Sequence, residues 1–316
     1  MEICVLDDFE NVAESLLDWS KLPNDSKISF SIKLFSDELE LLKFLQPFDV
    51  IVVMRERTVF SKQVLENLPN LKFISTSGAR NAAIDLEACK ELGIVVSGTR
   101  AGGSPVVELS WALILALVRK LPAAINSMHS GKWMPELGSE ISGKKLGLVG
   151  LGRTGKQMAK IGQAMGAEVV AWSPNLKQES CRDHGVGYVE KYELFATSDI
   201  VSMHLVLSET TQGIIDRSTF GQMKKSAFFI NTSRAGLCDY DALIELCEDG
   251  KIAGAAVDVY PAEPLPISER IRNTPNMILT PHLGYVTEEN FRLWFSDAIE
   301  NINSYAAGAP IRLLNI

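Results

Sequence analysis

Three side chains fit for anion binding and proton transfer lie in three short segments. Arg234 is in Asn231-Thr232-Ser233-Arg234, Glu263 is in Asp258-Val259-Tyr260-Pro261-Ala262-Glu263-Pro264, and His282 is in Thr280-Pro281-His282. Arginine presents a planar fork of donors to a carboxylate or carbonyl oxygen. Histidine exchanges a proton near neutral pH, and a carboxylate beside it favours its charged form. Taken singly, each has an ordinary alternative: a surface ion pair, an exposed loop acid, a hydrogen-bonded loop histidine. Together they carry more, because each segment follows a β-rich run, and ligands of open α/β sheets bind beyond the carboxyl ends of the strands.

A fourth segment, Val149-Gly150-Leu151-Gly152-Arg153-Thr154-Gly155, has the spacing GxGxxG. It lies after a β run and before a helical pattern, the context in which this spacing reads as a dinucleotide-binding turn. Gly150 permits the tight turn, Gly152 the approach of a pyrophosphate, and Gly155 close packing of helix on strand. The helix start at Arg153 and Thr154 supplies free N–H groups to the anion. About twenty residues further on, an NAD-specific site carries an acid for the ribose hydroxyls. Here the chain reads Trp172-Ser173-Pro174-Asn175-Leu176-Lys177, with no acid. Ser173 and Asn175 can hydrogen-bond a ribose, and Lys177 can pair with a 2′-phosphate. The cofactor is therefore NAD(H) or NADP(H), with a lean to NADP(H). The alternative for Lys177 is a solvated surface lysine.

The elements that must position these residues follow from periodicity. Apolar β-rich runs at 3–6, 50–53, 73–75 and 94–96 alternate with helical patterns at 35–45, 61–68 and 84–92. A long helix is expected from Ser104-Pro105 to about Leu121, apolar over more than one face. A second series has runs at 146–149, 168–172, 200–203, 227–230, 254–257 and 277–279, with helices at 155–165 and 241–248 among them. A last helix is expected at 288–305. This is an α/β pattern of parallel sheets covered by helices.

Composition narrows the classes. The 316 residues carry a net charge of -8, which disfavours nucleic acid or an anionic membrane as the main partner. Five cysteines without a CxxC suit a reduced, cytoplasmic setting. The acidic start Met1-Glu2-Ile3-Cys4-Val5-Leu6-Asp7-Asp8 does not read as a secretory signal, and the apolar stretch at 111–118 is too short to span a membrane. No HxxxH, HExxH or CxxC spacing suggests a metal site, and His129, His184 and His204 read as surface or structural residues.

With Ser75-Thr76-Ser77-Gly78-Ala79-Arg80-Asn81 added to the glycine turn and the three segments above, the chain resembles the D-isomer-specific 2-hydroxyacid dehydrogenase family over nearly its whole length. The resemblance implies two Rossmann-like, doubly wound parallel-sheet domains with the active-site cleft between them. It places a discontinuous substrate-binding domain at 1–100 plus 284–316 and a dinucleotide-binding domain at 101–283. It further implies that Arg234 orients the substrate, Glu263 assists, and His282 is the acid/base. Thr232, Ser233 and Asp258 fall on the cofactor side, and backbone N–H groups of Gly78 and Ala79 hold the substrate carboxylate. The implied reaction is reversible reduction of a 2-keto acid, such as glyoxylate, hydroxypyruvate or pyruvate, to a D-2-hydroxy acid, in a homodimer.

Two departures from the family pattern stand out: the missing acid near Ser173, and Val106-Val107-Glu108 where relatives often have Thr-Ala-Glu. Arg55 and Arg57, after the run at 50–53, either select among substrate side chains or are solvated loop charges. The other functions weighed are a redox-sensing corepressor-like module that binds the dinucleotide without turnover, and phosphite or formate oxidation on the same scaffold.

Overall fold

The computed structural model describes residues 1–35, 37–100, 104–133 and 136–315. Residues 101 and 316, where two expected boundaries fall, and Ser36 of the expected helix at 35–45 lie outside that set. The chain divides into two compact units, Met1–Gly103 with Thr287–Ile316, and Ser104–Val286.

The first unit holds strands β1 (Glu2–Val5), β2 (Lys27–Phe30), β3 (Val50–Val53), β4 (Phe73–Thr76) and β5 (Val95–Ser97) in the order β2-β1-β3-β4-β5. All are parallel, and β3 and β4 are buried along their whole length, as a sheet covered on both faces requires. Cys4, Ile51, Val53, Ile74 and Val96 pack one face against Leu42, Leu45, Val64 and Leu65 of the covering helices. The helix Glu288–Ala306 belongs to this unit: Phe73 stacks on Tyr305 at 4.6 Å, and Asn301 donates to the Gly98 carbonyl at 2.9 Å. The fully buried Asp297 accepts from the Arg100 N–H at 2.8 Å and pairs with its guanidinium at 2.6 Å.

The second unit holds β6 (Lys145–Val149), β7 (Glu168–Trp172), β8 (Gly187–Tyr188), β9 (Ile200–Met203), β10 (Phe228–Asn231), β11 (Gly254–Val257) and β12 (Met277–Leu279), ordered β12-β11-β10-β9-β6-β7-β8 and all parallel. The order reverses between β6 and β9, the switch point of a doubly wound nucleotide-binding sheet. Alternate residues serve opposite faces: Ile230 and Ala256 pack with Trp111, Ile114 and Met158, while Phe229 and Ala255 pack with Phe220 and Leu243.

The structure differs from expectation at edge strand β2 and at the long helix, and it adds short elements such as β8 and the helices Gln178–Arg182 and Arg217–Phe220. The edge strand β2 was not anticipated, because its residues alternate only between exposed and half-buried. The long helix ends at Val118 rather than Leu121; Lys120 is left-handed at φ 53° and a new helix, Leu121–His129, begins. Pro122 accounts for the break, since its ring would clash with the carbonyl four residues earlier in a continuous helix. Among the described residues no helix is long and apolar enough to cross a membrane, and no group of three or more His, Cys, Asp or Glu is placed to hold a metal.

Candidate active site

The register of the second sheet brings the strand ends into line. Asn231 pairs with Val257 and with Met203, Val257 with Leu279, and Val149 with Met203. The residues that follow, Gly150 to Gly155, Thr232 to Arg234, Asp258, and Thr280 to His282, therefore emerge at one edge.

The glycine turn has the shape its spacing predicts. Gly150 adopts φ 107°, and a Cβ there would stand 2.7 Å from the His204 carbonyl oxygen. A Cβ on Gly155 would stand 2.1 Å from the Gly150 oxygen, so any larger residue would force the helix off the strand. A Cβ on Gly152 would meet nothing within 4 Å, which leaves that face open to an approaching group. The helix Arg153–Ala164 starts at once, with its first N–H groups directed at the opening. These residues fit a dinucleotide pyrophosphate. His204 has a structural place behind the turn: its N–H donates to the Val149 carbonyl, its Nε2 lies 2.9 Å from Ser202 Oγ, and burial pushes its pKa down to about 4. Beyond β7, Ser173 is half-buried, Asn175 and Lys177 are exposed, and Lys177 has no ion-pair partner among the described residues.

His282 and Glu263 are joined: Nδ1 of the imidazole lies 2.6 Å from the Glu263 carboxylate. The other Glu263 oxygen accepts from the Tyr260 N–H at 2.8 Å. Burial drives the Glu263 carboxyl upward, but the His282 hydrogen bond and charge, the Tyr260 N–H and the Arg234 charge together hold it below its ordinary value. With Nδ1 occupied, Nε2 is the ring nitrogen left for a reacting atom. The charge of Arg234 thus reaches the same carboxylate. Its backbone is anchored by Asn231, which is fully buried and donates to the Arg234 carbonyl at 3.1 Å, and its Nη1 donates to the Ser233 carbonyl at 2.8 Å.

His282 has a left-handed backbone, φ 56° and ψ 49°, which L residues avoid unless neighbours impose it. Asp258 imposes it. Its carboxylate is fully buried and accepts from Thr280 Oγ1 at 2.6 Å, the Leu283 N–H at 2.7 Å and the Gly284 N–H at 2.8 Å. Burial raises its pKa despite these three donors. Thr232 is likewise engaged within the protein, 2.6 Å from Ser110 Oγ, and Ser233 Oγ donates to the Leu205 carbonyl. Sequence reasoning gave no role to Tyr285, whose ring stands edge-on 5.3 Å from the imidazole, nor to Thr280. An aromatic residue three positions after the histidine was the available signal for Tyr285.

In the first unit the loop after β4 differs in one respect from expectation. The Gly78 N–H donates to Thr99 Oγ1 at 2.7 Å, so it is already committed; the Ala79 N–H has no acceptor among the described residues. Gly78 instead makes room: it adopts φ 85°, and a Cβ on it would stand 3.4 Å from Arg55 Nη1. Arg55 is thereby placed beside this loop, while Arg57 pairs with Glu10.

Residues 111–284 match the family described as D-isomer specific 2-hydroxyacid dehydrogenase, NAD binding domain. A hydroxypyruvate reductase of Thermotoga maritima is 37% identical over 83% of this chain and 86% of its own length. A D-3-phosphoglycerate dehydrogenase of Synechocystis is 34% identical over 89% of this chain but only 51% of its own, so the chain spans about half of that relative. Among solved structures, a phosphoglycerate oxidoreductase from Vibrio cholerae superimposes with a TM-score of 0.93 at 36% identity, covering 98% of this chain and 100% of the other. An acyclic imino acid reductase, solved with NADPH and D-Arg, does so with a TM-score of 0.74 at 26% identity, covering 99% and 100%.

Proposed function

The chain belongs to the D-isomer specific 2-hydroxyacid dehydrogenase family, and from that premise we propose that it interconverts a 2-keto acid and a D-2-hydroxy acid with a nicotinamide dinucleotide. The observation that carries the reading is the 2.6 Å His282–Glu263 pair under the charge of Arg234, at the edge that also bears the glycine turn. When bound, the nicotinamide supplies or accepts the hydride at the substrate's second carbon. Arg234 binds the carboxylate and polarises the keto oxygen. Protonated His282 delivers its Nε2 proton to that oxygen, and Glu263 stabilises the imidazolium until it does. Asp258 acts through the backbone, holding the His282 turn, rather than by touching the dinucleotide. In the first unit, Arg55 and the Ala79 N–H are proposed as substrate-binding groups. The pyrophosphate is held at Gly150, Gly152, Arg153, Thr154 and Gly155, and Thr232 and Ser233 line the nicotinamide side.

The purified chain, assayed with glyoxylate, hydroxypyruvate and pyruvate for reduction and D-3-phosphoglycerate for oxidation, is expected to turn over at least one of them. Nucleotide binding without turnover of any would sink the reading in favour of a non-catalytic module. Oxidation of formate or phosphite would displace it. The missing acid after β7, with Ser173, Asn175 and Lys177 in its place, favours NADP(H); the NADPH in the imino acid reductase neighbour supports this. Lys177→Ala should raise the KM for NADPH about tenfold and leave that for NADH within about twofold, the worth of one charge-assisted phosphate contact. Equal effects on both would leave Lys177 a surface charge.

Glu263→Gln tests the proton path. It keeps the shape but removes the negative charge, so the decline of reduction with rising pH should begin at lower pH than in the parent. Because Glu263 is held below its ordinary value when folded, its contribution is present above the ordinary carboxylate range and lost as pH falls through the depressed value. An unchanged pH profile would remove Glu263 from the path.

The helix Leu121–His129 buries none of its residues and exposes Leu121, Ile125 and Met128. A second copy is the proposed cover, giving a homodimer. Sedimentation equilibrium should return twice the chain mass; a monomer at high concentration excludes it. A cytoplasmic setting is proposed from the five free cysteines, four of them buried.

A further inference from the structure

The turn after β3 is gripped from both sides. On one side, the Arg55 N–H donates to Ser77 Oγ at 2.8 Å, and the Arg55 carbonyl accepts from Asn81 Nδ2. On the other, Thr58 Oγ1 donates to Asp7 Oδ1 at 2.9 Å. Arg57 pairs with the Glu10 carboxylate through both of its Nη atoms, donates to the Asp7 carbonyl, and lies over the Phe9 ring 4.7 Å from its centre. Asp7 comes just after β1, and β1 neighbours β3 in the sheet. The strand order β2-β1-β3-β4-β5 reverses between these two strands, so the grip sits at the switch point of this sheet, where open α/β sheets place their ligands.

Two features weigh against a purely stabilising role. Asp7 is 2% exposed, yet its Oδ2 is buried without a hydrogen-bond partner among the described residues, a cost to folding that a neutral side chain would avoid. Asp7 and Arg55 both occupy left-handed backbone, φ 63° and φ 48°, though neither is glycine. Strained residues persist where surrounding contacts over-determine them, and such places cluster at ligand clamps. The result of the grip is a defined position for Arg55, whose guanidinium lies against Gly78.

We propose that Asp7, Thr58 and the Arg57–Glu10 pair are positioning residues: they fix the turn at 55–58 so that Arg55 is aimed at the substrate, which none of them touches. The inference rests on the reading of Arg55 as a substrate-binding group.

The test is a set of steady-state measurements on the best 2-keto acid of the panel. Thr58→Val removes the hydroxyl at nearly constant volume and should raise KM about tenfold with kcat within about twofold, the pattern of a displaced binding group. Thr58→Ser restores the hydroxyl and should restore KM. Glu10→Gln, at the solvent side of the grip, should raise KM about threefold without threatening the fold, since it weakens one partly exposed pair. In an Arg55→Ala background all these effects should shrink to less than about twofold, because the residues act through one group. If Arg55→Ala raises KM but Thr58→Val and Glu10→Gln do not, the positioning role is overturned and the reading of Arg55 survives. If Arg55→Ala leaves KM unchanged, both fall. Effects of Thr58→Val that persist in full without Arg55 would make the grip merely structural.

Discussion

Asparagine in place of His282 should lower kcat for 2-keto acid reduction by roughly 10²–10⁴-fold, the usual worth of a positioned acid or base. The amide of asparagine can still reach towards Glu263, so the loop should keep its geometry. It cannot carry the proton that the alkoxide needs. Nucleotide affinity, read by fluorescence of the bound reduced cofactor, should stay within about twofold, because the variant removes an interaction of the transition state rather than of the ground state. The fold should also hold: Asp258, Thr280 and the amides of Leu283 and Gly284 fix the turn without using the imidazole. Turnover at the parent rate on every active 2-keto acid would refute the assignment.

Lysine in place of Arg234 should lower kcat/KM by roughly 10²–10³-fold although the charge is kept, the scale for loss of a donor aimed at a developing oxyanion. The guanidinium offers parallel donors to a carboxylate and an adjacent carbonyl oxygen, whereas an ammonium is a point charge. Asn231 holds the Arg234 carbonyl, so the fork leaves a fixed base. The loss should fall on both kcat and KM, since the group binds substrate and polarises it. A change of less than about threefold would mean that charge alone suffices and that Arg234 is not the clamp.

How far these residues were legible in the sequence depended on range. The glycine turn could be read because Gly150, Gly152 and Gly155 answer local demands of turn, approach and packing. The strand ends could be read because β10, β11 and β12 are buried or half-buried apolar runs, so the residue after each run is at the edge. The lock that Asp258 places on the His282 turn could not, because it joins residues 22 to 26 positions apart through the β11–β12 register. The commitment of the Gly78 N–H to Thr99 was hidden for the same reason, being a contact over 21 positions. Edge strand β2 has too little burial to leave a pattern, and short helices such as Gln178–Arg182 and Arg217–Phe220 span too few residues for a period to repeat. The place of Arg55 is not legible, because periodicity says nothing about where a long side chain on a loop ends.

The two-part first unit sets an order in which the molecule can be made. Ser104–Val286 is one unbroken run, complete as soon as it has been synthesised. The first sheet is not: Arg100 must wait for Asp297, 197 positions later, and Phe73 stays unstacked until Tyr305 arrives. Domains tend to fold as units while the chain emerges. Here the inserted unit can finish first, while the opening hundred residues hold an uncovered apolar face and depend on the last helix to close it. Damage near the end of the chain is therefore felt in the strands made at its beginning.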